Sequence, residues 1–321
     1  MKTELSPIGI IAHDERFVNS SADEVIAKAE VLQNRSAVVR QFLVRHLISE
    51  NQAEQAHATS TCGNFLMFKR YANTERTVTL ERANFCKHPM CPVCAWRRHL
   101  KYAKLIDKSI EIGRYNYLYH LVLGVPNVDT LSKSDLMYLK ERAVSFVRQK
   151  LDCKDYISNL EVVNHGAGLH PHLHMLINVP DFVQVSKEYV RDMSHKWMMH
   201  CTKKMANKSA LLNKYDGFTF FITGITKAER DGVAQELTKY IVKGDFTSDD
   251  GETISTIARA IKGVRKMSSS GTFKENMSLA KKIVLSESDE RLRDLSKYDY
   301  EYLIYQFING KYERKPKDDK C

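Results

Sequence analysis

Between residues 168 and 180 the chain reads GLHPHLHMLINVP, and Leu173, Met175, Ile177 and Val179 fall on every second position. A period of two predicts a β-strand with one face on a core. His170, His172 and His174 interleave with the apolar residues and share the opposite side. Apolar runs predict further strands at 116–124 and 158–164, and KSDLMYLKERAVSFVRQKL between them has helical spacing. Near the N-terminus, SADEVIAKAEVLQNRSAVVRQFLVRHLIS reads as helix, with Ser21 and Glu24 spaced as a capping box. AWRRHLKYAKLIDKSI predicts an amphipathic helix with Trp96, Leu100, Ala103 and the 105–110 stretch inward, and Arg97, Arg98, Lys101 and Lys104 exposed. In DGVAQELTKYIVKGDF, Ala234, Leu237 and Ile241 form a core stripe while Glu236, Tyr240 and Lys243 share a neighbouring face. KMSSSGTFKE and the charged KYERKPKDDKC predict a loop and a less ordered chain end.

The elements add up to an α+β fold with a central, largely antiparallel sheet flanked by helices. Four segments are expected: a helical N-terminal segment over 1–55, a cysteine module with its basic helix over 56–105, a sheet domain over 106–275, and a charged C-terminal region over 276–321. No internal repeat or low-complexity tract interrupts them.

At 321 residues and 43% hydrophobic, the chain can bury a sizeable core, which excludes an intrinsically disordered protein. Lys and Arg exceed Asp and Glu by 49 to 39, a formal charge of +10, which favours a polyanionic partner. MKTELSPIGIIAHDERF lacks the apolar length of a signal peptide and no stretch approaches a membrane span, so a cytoplasmic location without membrane contact is expected.

Seven cysteines without a secretory signal point to thiols or metal ligands rather than disulfides. In ANFCKHPMCPVCAWRR, the Cys91–Cys94 turn presents two thiolates to one tetrahedral ion, and Cys86 adds a third. Cys62 or the nearer His88 completes a structural zinc (Zn2+) site, with Cys62 preferred because a fourth ligand often comes from a separate turn. A redox role is disfavoured, since no strand-then-helix context surrounds the pair. Cys153, Cys201 and Cys321 stand alone. The zinc would rigidify the root of the basic helix, where Arg97, Arg98 and Lys101 are candidates for DNA phosphate contacts, the alternative being a solvated charged face. The three histidines can likewise hold one cation, the alternative again being a solvated polar face.

Four blocks, ANFCKHPMCPVCAWRR, LVLGVPNV, LEVV with HPHLHML, and ELTKYIVK, occur in order over about residues 62 to 275, with AIKGVRKMSSSGTFKE a weaker fifth. In them the chain resembles the rolling-circle plasmid replication initiators of the HUH endonuclease superfamily. The resemblance implies an HUH nicking domain over 106–275. His172 and His174 would hold a catalytic divalent ion (Mg2+ or Mn2+), with His170 an adjacent candidate and Glu161 a third ligand from the neighbouring strand. Tyr240 would be the nucleophile that forms a 5′-phosphotyrosine and frees a 3′-hydroxyl primer, Glu236 the carboxylate that activates water in the terminating cleavage, and Lys243 a stabiliser of phenolate or phosphate charge. One departure is that the strand before Asn127 is typically threonine-rich in that family, whereas Val122 and Gly124 stand here.

The implied partners are the plasmid double-strand origin, locally single-stranded DNA, and a host helicase and DNA polymerase; a homodimer is compatible with this. A single-strand transposase or mobilisation relaxase shares the chemistry but moves a different DNA. A non-enzymatic zinc regulator would bind DNA regardless of Tyr240. A metal-dependent hydrolase of small substrates would explain the histidines but not the basic charge.

Overall fold

A computed structural model describes residues 18–19, 22–164, 168–202, 217–226, 229, 234, 237 and 251–315. It has two compact units, one formed by Met1–Tyr102 with Lys281–Cys321 and the other by Ala103–Ala280. Each is built on a five-stranded sheet in which every strand pair is antiparallel. The α+β class expected from the pattern is the class found.

In the first unit, helices α1 (Ala22–Arg35), α2 (Ala37–Ser49) and α3 (Ala53–Ser60) precede strands β2 (Phe65–Tyr71) and β3 (Val78–Ala83). With the short β1 (Val18–Asn19) and a C-terminal hairpin of β9 (Tyr300–Ile308) and β10 (Lys311–Lys315), these strands form a sheet ordered β1-β3-β2-β9-β10. One sheet face closes a core of Val25, Ile26 and Ala29 from α1, Leu66 and Phe68 from β2, Leu80 from β3, and Leu303, Tyr305 and Tyr312 from the hairpin, joined by Leu100. The segments expected at 1–55, 56–105 and 276–321 thus meet in one fold. The less ordered chain end is corrected for Lys311–Lys315, which form β10 and pair with β9 from Lys311↔Ile308 to Lys315↔Ile304, because Tyr312 has a core face to fill; residues 316–321 lie outside the described residues. The proposed capping pair Ser21 and Glu24 lies outside the residues described in full.

The second unit orders its strands β7 (Thr219–Ile225), β4 (Tyr117–Gly124), β6 (Leu169–Val179), β5 (Asp155–Asn164) and β8 (Met267–Ser270). Predicted strands 116–124, 158–164 and 172–179 correspond to β4, β5 and β6. KMSSSGTFKE is not a loop: β8 pairs with β5, Ser158 Oγ lies 2.9 Å from Ser268 Oγ, and a long helix, Thr272–Leu295, follows. Leu121, Leu123, Leu173, Met175 and Ile177 line one buried sheet face. Helix α5 (Lys133–Lys150) contributes Leu136, Leu139, Ala143, Phe146 and Val147 to the buried core, and α6 (Lys187–Thr202) contributes Met193 and Trp197. Phe146 meets Trp197 and Phe220 of β7 edge-on, and Trp197 Nε1 donates to the Gly124 carbonyl at 2.8 Å. Ser132 and Asp135 cap α5 reciprocally.

Candidate metal centres

Antiparallel register decides which side chains meet across the second sheet, because directly opposed residues share a face. Glu161 of β5 opposes His172 of β6 and Asn159 opposes His174; on the other flank Val122 of β4 opposes His174 and Gly124 opposes His172. Both imidazoles therefore point toward one carboxylate. Glu161 Oε2 lies 2.8 Å from His172 Nε2 and 3.1 Å from His174 Nε2. All three residues are buried, so the solvated polar face is excluded for His172 and His174.

The contacts fit a divalent cation. His172 Nδ1 is 3.2 Å from the His170 carbonyl, which can only accept, so Nδ1 carries the proton and Nε2 of the neutral ring offers a lone pair to the carboxylate. Two lone pairs at 2.8 Å need a second ring proton or a shared cation. Glu161 Oε1 is buried with no hydrogen-bond partner among the described residues. Ligand atoms about 2.1 Å from one octahedral ion stand about 3 Å apart, which matches the separations found. Burial opposes the Glu161 charge, but the alternative to a cation, ring protons on the facing His172 and His174 nitrogens, would donate to the carboxylate, outweigh burial and hold the carboxyl below its ordinary range.

His170 stands outside this triad. Its ring packs 5.1 Å from that of His172, and Nδ1 lies 2.9 Å from Asn127 Oδ1. Gly124 makes room for it, since a Cβ there would come within 3.0 Å of His170 Nε2. The strand that departs from the threonine-rich pattern contributes a residue that sequence reasoning did not single out, His120, whose Nε2 is 3.1 Å from His174 Nδ1. The two rings stack at 5.4 Å. His120 lies two residues before Val122 on the histidine side of β4, a position that the single-strand pattern of β6 does not disclose. Tyr240, Glu236 and Lys243 lie outside the described residues. Within the same stretch Ala234 and Leu237 are buried, and Asn159 Nδ2, on the triad face, reaches the Leu237 carbonyl at 3.4 Å.

In the first unit, Cys62, Cys86, Cys91 and Cys94 come together with every sulfur within 4.8 Å of the others. Cys62 follows α3, Cys86 follows β3, and Cys91 and Cys94 open α4 (Pro92–Ile112), whose Pro92 suits a first helical position that needs no N–H partner. Sulfurs of Cys62 and Cys94 are 3.6 Å apart, those of Cys86 and Cys94 3.7 Å, and those of Cys62 and Cys91 3.5 Å. A tetrahedral ion with sulfur at about 2.3 Å has edges of about 3.8 Å. The backbone N–H of Cys86 donates to Cys62 Sγ and that of Lys87 to Cys94 Sγ, as thiolates require. Cys62, not His88, completes the set; His88 Nδ1 instead accepts from the Met90 N–H.

A buried polar network holds the Cys62 turn. Gln33 Nε2 and Arg40 Nη1 donate to the Cys62 carbonyl at 2.9 and 3.1 Å, Arg40 also bonds Gln33, and the Tyr312 hydroxyl donates to the Gly63 carbonyl. Gly63 adopts φ +76°, and a Cβ would meet Gln33 Nε2 at 2.5 Å. Arg97 and Arg98 are corrected from the exposed face expected of them. Arg97 stacks over Phe85 at 3.5 Å, and burial lowers its pKa to about 10 against the attraction of Cys94 and Cys62. Arg98 donates to the His88 and Pro89 carbonyls and braces the turn. Lys101 is half-buried and Lys104 exposed. Cys153 and Cys201 are buried apart from the cluster, and Cys321 lies outside the described residues.

An antiparallel α+β unit with a buried Glu-His-His triad, in a basic chain that also carries a four-cysteine cluster, presents two residue groups that could each hold a metal ion. Its family gives that equipment a context. Residues 77–313 match the family described as "Replication protein", and the chain belongs to it, as a rolling-circle plasmid replication initiator. The protein is similar to "Protein rep" of Lentilactobacillus hilgardii, 26% identical over 260 residues that cover 74% of this chain and 78% of that one. It is also similar to "Protein rep" of Staphylococcus aureus, 31% identical over 49% of this chain and 70% of the relative, and to that of Streptococcus pneumoniae, 30% identical over 37% and 40%. No solved structure matches. Among the described residues no helix is long and apolar enough to cross a membrane.

Proposed function

We propose that the protein nicks one strand of its plasmid's double-strand origin by tyrosine transesterification, in the manner of HUH endonucleases. The observation that carries this reading is the buried Glu161–His172–His174 triad, with one carboxylate oxygen that has no hydrogen-bond partner among the described residues. Mg2+ or Mn2+ held there would polarise the scissile phosphate as a Lewis acid. His172 and His174 present Nε2, Glu161 supplies the balancing charge, and His170 stays outside as a neighbour of His172. Tyr240 Oη attacks phosphorus and gives up its proton; the phosphorus–O3′ bond breaks, and the departing oxygen takes a proton to become the 3′-hydroxyl primer. A 5′-phosphotyrosine remains.

What supports Tyr240 is the Leu237 carbonyl three residues earlier, hydrogen-bonded to Asn159 on the triad face. Lys243 would offset phenolate charge, and Glu236 would act as general base for water in the terminating cut. The four cysteines suit zinc, which would make their site a folding element. Arg97, Arg98 and Lys101 would add positive potential for DNA phosphates, and a host helicase and polymerase would act on the primed product.

The test is a nicking assay on supercoiled DNA carrying candidate origins, with detection of protein joined to a 5′ end. Tyr240→Phe should bind the origin and form no adduct, and chelator should stop the parent. An adduct formed by Tyr240→Phe would overturn the assignment of the nucleophile.

A further inference from the structure

Resting on that reading, we propose that Phe221 is a stacking platform for an unpaired base next to the scissile phosphate. A single exposed aromatic is ordinary; what distinguishes Phe221 is where it stands. It lies on β7, one of the two edge strands of the second sheet among the described residues, and is 50% exposed. Its neighbours along the strand, Phe220 and Ile222, turn to the core and are buried. Phe221 opposes Val122 of β4, and Val122 in turn opposes His174 of β6, so all three occupy the face of the metal triad. Two strand spacings, about 10 Å, separate the backbone of Phe221 from that of His174.

One ring, that of His120, links them. Phe221 meets His120 edge-on at 6.4 Å, and His120 stacks on His174 at 5.4 Å. The edge contact fixes the phenyl orientation while leaving ring surface open to solvent. Thr223, which faces the same side, is exposed and short. A strand whose phosphate sits at the triad must put its adjoining bases somewhere, and a phenyl face at this distance accepts any of the four, because stacking needs only a π surface. Phe221 would therefore grip unpaired DNA without reading its sequence.

The experiment measures binding of a single-stranded oligonucleotide that spans the nick mapped with the parent protein, by fluorescence anisotropy in Mn2+. The strand is intact or carries one abasic site, moved a position at a time. Phe221→Ala and Phe221→Leu should bind the intact strand about 10-fold more weakly, and Phe221→Trp should bind it as the parent does. The parent should lose about as much at one abasic position, where Phe221→Ala loses nothing further. Mn2+ affinity, measured calorimetrically without DNA, should be the parent's in all three variants. If the parent nicks but Phe221→Ala keeps both the affinity and the abasic profile, the platform is overturned and the nicking reading stands. If the parent neither nicks nor binds the unpaired strand, the nicking reading falls and the platform with it.

Discussion

Replacing Glu161 by Gln tests the triad with almost no change of shape. The carboxylate is buried, and one oxygen, Oε2, serves both imidazoles at 2.8 and 3.1 Å, so the substitution removes the only negative ligand of the triad. Outer partners of metal ligands are worth roughly 10- to 100-fold in affinity, and a direct anionic ligand should cost at least the upper figure. With Mn2+ at a hundred times the parent Kd, binding stabilises the parent by about 2.7 kcal/mol. A Kd raised 100-fold leaves about 0.4 kcal/mol at the same concentration. For a unit the size of Ala103–Ala280, each kcal/mol moves Tm by roughly 2–4 °C. The parent should therefore gain about 5–11 °C and Glu161→Gln only about 1–2 °C, each against its own melting point in chelator. Differential scanning calorimetry over a Mn2+ series reads this directly. A Glu161→Gln protein that gains as much as the parent would show that the ion, if it binds, does not use this carboxylate.

Cys94→Ser should lower bound zinc from one per chain toward none in elemental analysis of fresh protein, with a lowered Tm, because one of four convergent ligands is lost; zinc-free parent protein would refute the zinc assignment. Gly63→Ala must strain a left-handed residue and push Gln33 off the Cys62 carbonyl, and should cost on the order of 1–3 kcal/mol in chemical denaturation. Glu236→Gln should nick supercoiled origin DNA and form the tyrosyl adduct, yet fail to terminate and yield products longer than one plasmid unit; normal unit circles would remove the proposed base.

What could be read from the chain is what depends on near neighbours. β6 announces itself by alternation, and the four cysteines by the Cys91–Cys94 turn with Cys86 close by. His120 was not legible, because its tie to His174 exists only once β4 and β6 pair in one register. The same holds for β8, whose Met-Ser-Ser-Ser has no apolar rhythm and is a strand because β5 offers it an edge. Arg97 and Arg98 were read as solvent-facing from helical spacing, which cannot see Phe85 or the turn carbonyls that receive them. The hairpin β9–β10 was hidden by the charges around it, although its inward Leu303 and Tyr305 complete a core begun near the other end of the chain.

That hairpin sets an order of assembly during synthesis. Every strand of the second unit lies between residues 117 and 270, so its sheet is fully translated before β9 leaves the ribosome. β2 gains β3 at once but must wait more than two hundred residues for its second neighbour, β9, and the turn that presents Cys62 waits for the Tyr312 hydroxyl. Domains generally form as their chain emerges. Here the unit encoded in the middle can finish first, while the Tyr312 tie to the turn beside Cys62 is among the last contacts made. A message cut short near its 3′ end would thus yield the second unit with its sheet intact and a first sheet that lacks β9 and β10.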